Sequence, residues 1–276
     1  MRIFISADIE GVAGVVVPAH GQAGNPEYER ARRLMTAEVN AAIDGAFAGG
    51  AEAVLVADSH GPMINLLPEE LDPRAELIQG KPRPMSMFCG VESGFDGVFC
   101  TGYHAGAGHR GVLSHTTSGV TFAEIAVNGL PLAEAMVYGA YAGELGVPVV
   151  MLSGDDQLAE QCRPHFPGAE FAVVKTALGH RATRALSPER ARQAIHAAAL
   201  AAARGLADGS RGCKPFVISA PCRAEFTFNT IALADVASII PVAERCGPRS
   251  VVFQAGSMRE VVGWMNTLSA MSAMLR

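Results

Sequence analysis

Asp8, Glu10, His60 and His104 are the residues of this chain whose types and spacing could do chemistry together. Each follows a short apolar run. Ser6-Ala7-Asp8-Ile9-Glu10 ends the run over residues 3–7, Ala57-Asp58-Ser59-His60-Gly61 the run over 53–57, and Thr101-Gly102-Tyr103-His104-Ala105 the run over 97–101. If the three runs are parallel strands, their carboxyl ends share one sheet edge, where open α/β folds bind their ligands. Carboxylates and imidazoles are the donors that zinc, cobalt or manganese accepts. Asp8 and Glu10 alternate along an extended chain, so their side chains point the same way. The pattern predicts a divalent-metal site.

Plainer readings exist for each member. Asp8 and Glu10 could open the glycine-containing turn over residues 11–14, and residues 58–60 could be an ordinary Asp-Ser turn. His104 could be a satisfied core histidine. Three coincident strand ends favour the metal cluster over three independent accidents. Asp155 and Asp156 follow a fourth run on the same edge, where they could orient a ligand histidine or simply make a turn. A serine mechanism has no G-x-S-x-G elbow to stand on. The "GVAG" after the first run lacks the three spaced glycines of a dinucleotide fingerprint.

The elements that must position these residues are read from periodicity. Strand-like runs at 3–7, 53–57, 97–101, 120–127 and 147–152 alternate with helical patterns over 26–47 and 132–144. This predicts an α/β fold, a largely parallel sheet flanked by helices. Beyond about residue 170, runs at 171–174, 215–219, 224–228 and 251–254 and helices over 188–204 and 258–274 predict a second, smaller α+β lobe. The expected division is a metal-binding catalytic domain over 1–170 and a smaller domain over 171–276. Ser187 is the expected cap of the 188–204 helix. Met258, Met265, Met271 and Met274 fit a core helix better than an interface.

A formal net charge of -5 gives no electrostatic reason to expect a nucleic-acid partner. No apolar stretch is long enough to span a bilayer, and the N-terminal run is too short for a secretory segment, so a soluble, cytoplasmic protein is expected. Six cysteines without C-x-x-C spacing are expected to be reduced thiols, neither staples nor metal ligands.

The segments "ISADIEGVAG", "VLVADSHG", "TGYHAGAGHRGVLSH" and "VNGLPLAEA" fall in the order and spacing of the M55-type zinc D-aminopeptidases, the dipeptide-transport-operon aminopeptidase family. The resemblance extends nearly along the whole chain, through "YERARRLMTAEVNAAIDGAF", "LSGDD" and the "FQA" near the C-terminus. It implies a metal-dependent aminopeptidase that releases N-terminal D-residues from short peptides. It further implies two zinc ions held by Asp8, Glu10, His60, His104 and Glu134, with Asp8 between them. Glu134 is assigned from "NGLPLAEA", with Glu124 as the alternative, and the family's essential histidine corresponds to His115. Arg110 is a candidate contact for a substrate carboxylate. The resemblance also implies a homo-oligomeric ring with active sites facing an internal chamber. Two other readings stay open, a metal-dependent phosphoesterase and a non-catalytic, metal-stabilised assembly subunit.

Overall fold

Alternation of short β-branched runs with longer amphipathic stretches produces two sheets in the structure, a computed structural model describing residues 1–275. In chain order the elements begin with β1 (Arg2–Ala7), α1 (Pro26–Ala48), β2 (Ala53–Asp58), β3 (Ala75–Ile78) and β4 (Gly97–Tyr103). There follow β5 (Phe122–Val127), β6 (Leu130–Pro131), α2 (Glu134–Glu144), β7 (Val149–Asp155) and α3 (Asp156–Cys162). Next come β8 (Glu170–Gly179), β9 (Ala182–Ala185), α4 (Pro188–Ala207), β10 (Cys222–Phe228) and α5 (Ile231–Ala237). The chain closes with β11 (Glu244–Arg245), β12 (Ser250–Ala255) and α6 (Met258–Ser272).

The first sheet has the order β3-β2-β1-β4-β7-β8-β9 and is parallel except for its last pair. The second, β11-β12-β10-β5-β6, is antiparallel. The α/β class is therefore as expected. One face of the first sheet is covered by α1 and α4, whose Val39, Ile43, Ile195 and Ala199 pack with Ile3 and Ile5 in one core. The alanines of α4 let the two helices approach closely. The opposite face carries Phe4, Phe88, Val98 and the tyrosines of α2, and its core continues without a break to Phe226 and Phe253 of the second sheet and to α6.

The sheets do not divide the chain at residue 170. β8 and β9 extend the first sheet, because Ala172 and Val174 bury against the α1–α4 core. β5 and β6 leave it to pair with β10, where Ile125 stands opposite Phe226. Residues 215–219, expected as a strand, join no ladder. Pro215 has no amide to donate, and Phe216 packs edge-on against Phe166 at 5.6 Å. Ser187 caps α4 by accepting from the Arg190 amide. In α6, Met258 and Met265 are buried and Met274 is exposed.

Strand order reverses between β1 and its two neighbours, since the chain runs from β1 outward to β2 and β3 and then returns to β4 on the other side. Such a switch point leaves a crevice at the carboxyl ends of the central strands. Here the β1 and β4 backbones converge, with the Asp8 amide donating to Thr101 O at 2.8 Å and Gly11 N to Gly102 O at 2.7 Å. Gly102 has φ +68°, and a Cβ there would stand 2.2 Å from Asp8 O. Both facts demand glycine. Gly102→Ala is expected to lower unfolding stability by more than about 1 kcal/mol. A urea melt checks this, and an unchanged midpoint would show that the β1–β4 approach is not the constraint described.

Candidate metal centre

Each predicted ligand stands one to three residues beyond a strand end, except Glu134, which begins α2. Asp8 and Glu10 are carried by the turn that leaves β1, closed by Val12 N donating to Ile9 O at 3.1 Å. His60 follows β2 on a loop organised by Asp58. That carboxylate accepts from the amides of Asn65 (2.5 Å) and Leu66 (2.7 Å), and Asn65 Nδ2 donates to His60 O at 2.7 Å. His104 follows β4. Glu134 is fixed through Oε1, which accepts from Thr117 N at 2.5 Å.

These side chains converge about Asp8, whose two carboxylate oxygens face different histidines. Oδ1 lies 3.4 Å from His60 Nδ1, and Oδ2 lies 3.4 Å from His104 Nε2. Glu10 Oε2 lies 2.9 Å from His60 Nδ1, and Glu134 Oε2 lies 3.4 Å from His104 Nε2. Two half-sites result, Glu10 with His60 and His104 with Glu134, sharing Asp8. His115 stacks on His104 with ring centroids 4.3 Å apart and holds Nε2 3.8 Å from Glu134 Oε1. Glu124, the alternative to Glu134, lies exposed on β5.

The ring hydrogen bonds decide what the site can hold. His104 Nδ1 lies 2.9 Å from Ala105 O, His115 Nδ1 2.8 Å from Leu113 O, and His60 Nε2 2.8 Å from Gly21 O. A carbonyl only accepts, so in each ring that nitrogen carries a proton. For His60 and His104 the other nitrogen points at carboxylate oxygens, where it can carry a second proton or give its lone pair to a metal ion. Asp8 Oδ2, Glu10 Oε2 and His104 Nε2 are buried without any hydrogen-bond partner. Unsatisfied acceptors facing one another are costly unless a cation lies between them. His104 with Glu134 and His115, and Asp8 with Glu10 and His104, are each spaced to hold a metal ion.

Protonation behaviour follows from the same crowding. Burial alone would raise the Asp8 carboxyl, but the close contacts with His104 and His60 and their charge hold it well below its usual range. Burial opposes charge on His60 and His104 too. Glu10 and Asp8 around the first, and Glu134 and Asp8 around the second, nonetheless push both imidazoles well above 6.5. The cluster thus favours positive charge at its centre.

Sequence reasoning missed the support beneath the Asp8–Glu10 turn. Lys175, buried in β8, donates from Nζ to Glu10 O (2.5 Å), Val12 O (3.0 Å) and Val15 O (2.7 Å). Desolvation lowers it to about 8, despite the carboxylates of Asp155, Glu38, Glu10 and Asp8. Glu38 of α1 accepts from Ala13 N at 2.9 Å, pinning the same turn from the helix side. The signal was present as a single lysine inside the apolar run around residues 171–178. Asp155 and Asp156 reach no ligand histidine. Asp155 caps α3 and accepts from Val112 N at 2.7 Å, steadying the loop that leads to His115, and Asp156 accepts from Ala177 N.

The centre opens into a cavity of about 660 Å³, within the range of small-molecule sites. Asp8, His60, His115 and Glu134 lie at its inner end. Arg110 is not on it. With His109 and His180 it lines a separate cavity of about 170 Å³. The six cysteines are free thiols. Among the described residues no helix is long and apolar enough to cross a membrane.

The family model for peptidase M55, described as D-aminopeptidase, matches residues 1–267. A D-aminopeptidase of Bacillus subtilis (strain 168) is 34% identical over 262 residues, covering 94% of this chain and 93% of that protein. A solved structure, the Zn-dependent D-aminopeptidase DppA from Bacillus subtilis, described as a self-compartmentalizing protease, superposes with a TM-score of 0.92. Its sequence identity is 32%, and the match covers 98% of this chain and 97% of that one.

A pH test isolates Glu38, which burial raises from 4.5 to about 8 despite the Ala13 amide and the charges of Lys175 and Arg192. A carboxyl raised on folding contributes stability that is full below its unfolded pKa and lost as pH rises through the folded one. Wild type is therefore expected to lose stability between pH 4.5 and 8 relative to Glu38→Gln, and parallel melting curves over that window would refute the assignment.

Proposed function

Since the chain belongs to the peptidase M55 family of D-aminopeptidases, we propose that it releases N-terminal D-residues from short peptides at two zinc ions sharing Asp8. Glu10 and His60 would hold one ion, and His104 and Glu134 the other. The observation that carries this reading is the division of Asp8, with one oxygen turned to His60 and the other to His104, amid buried polar atoms that have no hydrogen-bond partner. When bound, the two ions supply Lewis acidity for the peptide carbonyl and lower the pKa of water toward neutrality.

The protein's own groups do the rest. The cavity takes the peptide with its amino end toward the centre, at Asp8 and Glu134. His115 is the proton carrier. Its Nδ1–H is tied to Leu113 O, so Nε2 faces the cavity and Glu134. From there it takes a proton from the attacking water and gives it to the departing amine. Stacking on His104 fixes the ring plane. Subunits of this protein are proposed to assemble as a homo-oligomer enclosing these cavities, as the description of DppA as self-compartmentalizing suggests. Such enclosure limits substrates to short chains.

The match to the D-aminopeptidase family model over residues 1–267 favours the peptidase reading over the phosphoesterase one.

Zinc-loaded protein is expected to cleave D-alanyl dipeptides and not their L counterparts, with chelated protein inactive on both. Zinc-dependent cleavage of the L series alone would contradict the stereochemical assignment. His115→Ala should retain zinc while turnover falls about 10²–10⁴-fold. Near-normal turnover, or loss of zinc, would show that His115 is not the proton carrier but a spectator or a ligand.

A further inference from the structure

The cavity lining includes cations that the chemistry above does not use. Four cationic or titratable nitrogen-bearing side chains line the cavity: His60, His115, Lys81 and Arg83. His60 and His115 face the carboxylates of the centre. Arg83 is committed to main-chain oxygens, donating from Nε to Ser86 O (2.8 Å), from Nη2 to Asp58 O (2.6 Å) and from Nη1 to Ile78 O and Gly80 O. Lys81 takes part in no hydrogen bond or ion pair among the described residues and is exposed at the cavity wall.

Its backbone, in contrast, is anchored. Gly80 N donates to Met63 O at 2.6 Å, and the Arg83 guanidinium ties the other side of the segment to Asp58 O, where β2 hands over to the loop bearing His60. The stem of Lys81 thus springs from a point fixed relative to the centre, while its ammonium stays uncommitted. A cavity with carboxylates at its inner end and a free ammonium on its wall has the polarity complementary to a zwitterion. A short peptide is one, cationic at its amino end and anionic at its carboxyl end.

We propose that Lys81 binds the C-terminal carboxylate of the substrate and so selects short peptides with a free carboxyl end. The proposal rests on the aminopeptidase reading, which puts the amino end at Asp8 and Glu134. A lysine suits the task because its flexible stem lets one point charge follow carboxylates at slightly different distances. Lys81 then acts as a specificity residue, felt in substrate binding more than in turnover.

The test compares zinc-loaded wild type, Lys81→Met and Lys81→Arg on D-alanyl-D-alanine and on D-alanyl-D-alaninamide, following release of the C-terminal product, with zinc content measured for each protein. Wild type should prefer the acid. Lys81→Met should lower kcat/KM on the acid about tenfold, chiefly through KM, and on the amide far less. Lys81→Arg should keep most of the preference, with zinc content equal in all three. Equal losses on both substrates, or an acid-to-amide ratio that Lys81→Met leaves unchanged, would overturn the proposal while leaving the aminopeptidase reading intact. If wild type cleaves neither substrate with zinc bound, the aminopeptidase reading falls, and this proposal with it.

Discussion

Three buried carboxylates, the buried His104 and the partly buried His60 lie within a few ångströms of one another, with each imidazole tied by its opposite nitrogen to a main-chain carbonyl. Left alone, such an arrangement repels itself, since unprotonated acceptors in a low-dielectric interior have no water to turn to. It persists because the scaffold fixes every member independently. Asp8 and Glu10 ride on a turn held from below by Lys175 and from the side by Glu38. His60 rides on a loop organised by Asp58, and Glu134 is locked by the Thr117 amide. The requirement to gather like groups around a cation explains why so many buried polar residues cluster here and so few elsewhere.

The fold meets that requirement through strand order. Placing β1 between β2 and β4 brings residues roughly fifty positions apart in sequence to one crevice. The close approach of Asp8 to Gly102 then sets the spacing of Asp8 and His104. α6, which packs on the second sheet, adds Asn266, Ser269 and Ala270 to the lining of the cavity. In a zinc-dependent D-aminopeptidase this division of labour is economical. The parallel sheet supplies the rigid donors, and the helix carried by the antiparallel layer supplies part of the cavity lining.

Much of this was legible in the sequence, and the exceptions have physical reasons. Asp8, Glu10, His60 and His104 stood out because each follows an apolar run long enough to read as a strand. Glu134 did not, for a glutamate in the first turn of a helix is what the helix dipole favours anyway, and only the family resemblance singled it out. The Thr117 contact that fixes it depends on a residue with φ +64°, which no periodicity announces. Lys175 was hidden within an apolar run, where a lone cation reads as a solvent-facing position. Lys81 lies in an irregular segment bounded by glycine and proline. Periodicity identifies strands but not their partners, so the pairing of β5 with β10 and of β8 with β7 across residue 170 could not be read from it. Short elements such as β3 and α5 carry too few residues for a period to show.

The proposed sharing of Asp8 between two ions is the point on which the account turns. It is most directly tested by diffraction from zinc-loaded crystals at wavelengths either side of the zinc absorption edge. Two anomalous peaks per chain are expected, one against each oxygen of Asp8, the first contacted by Glu10 and His60 and the second by His104 and Glu134. A single peak, or one lying among His104, His115 and Glu134 without Asp8, would contradict it.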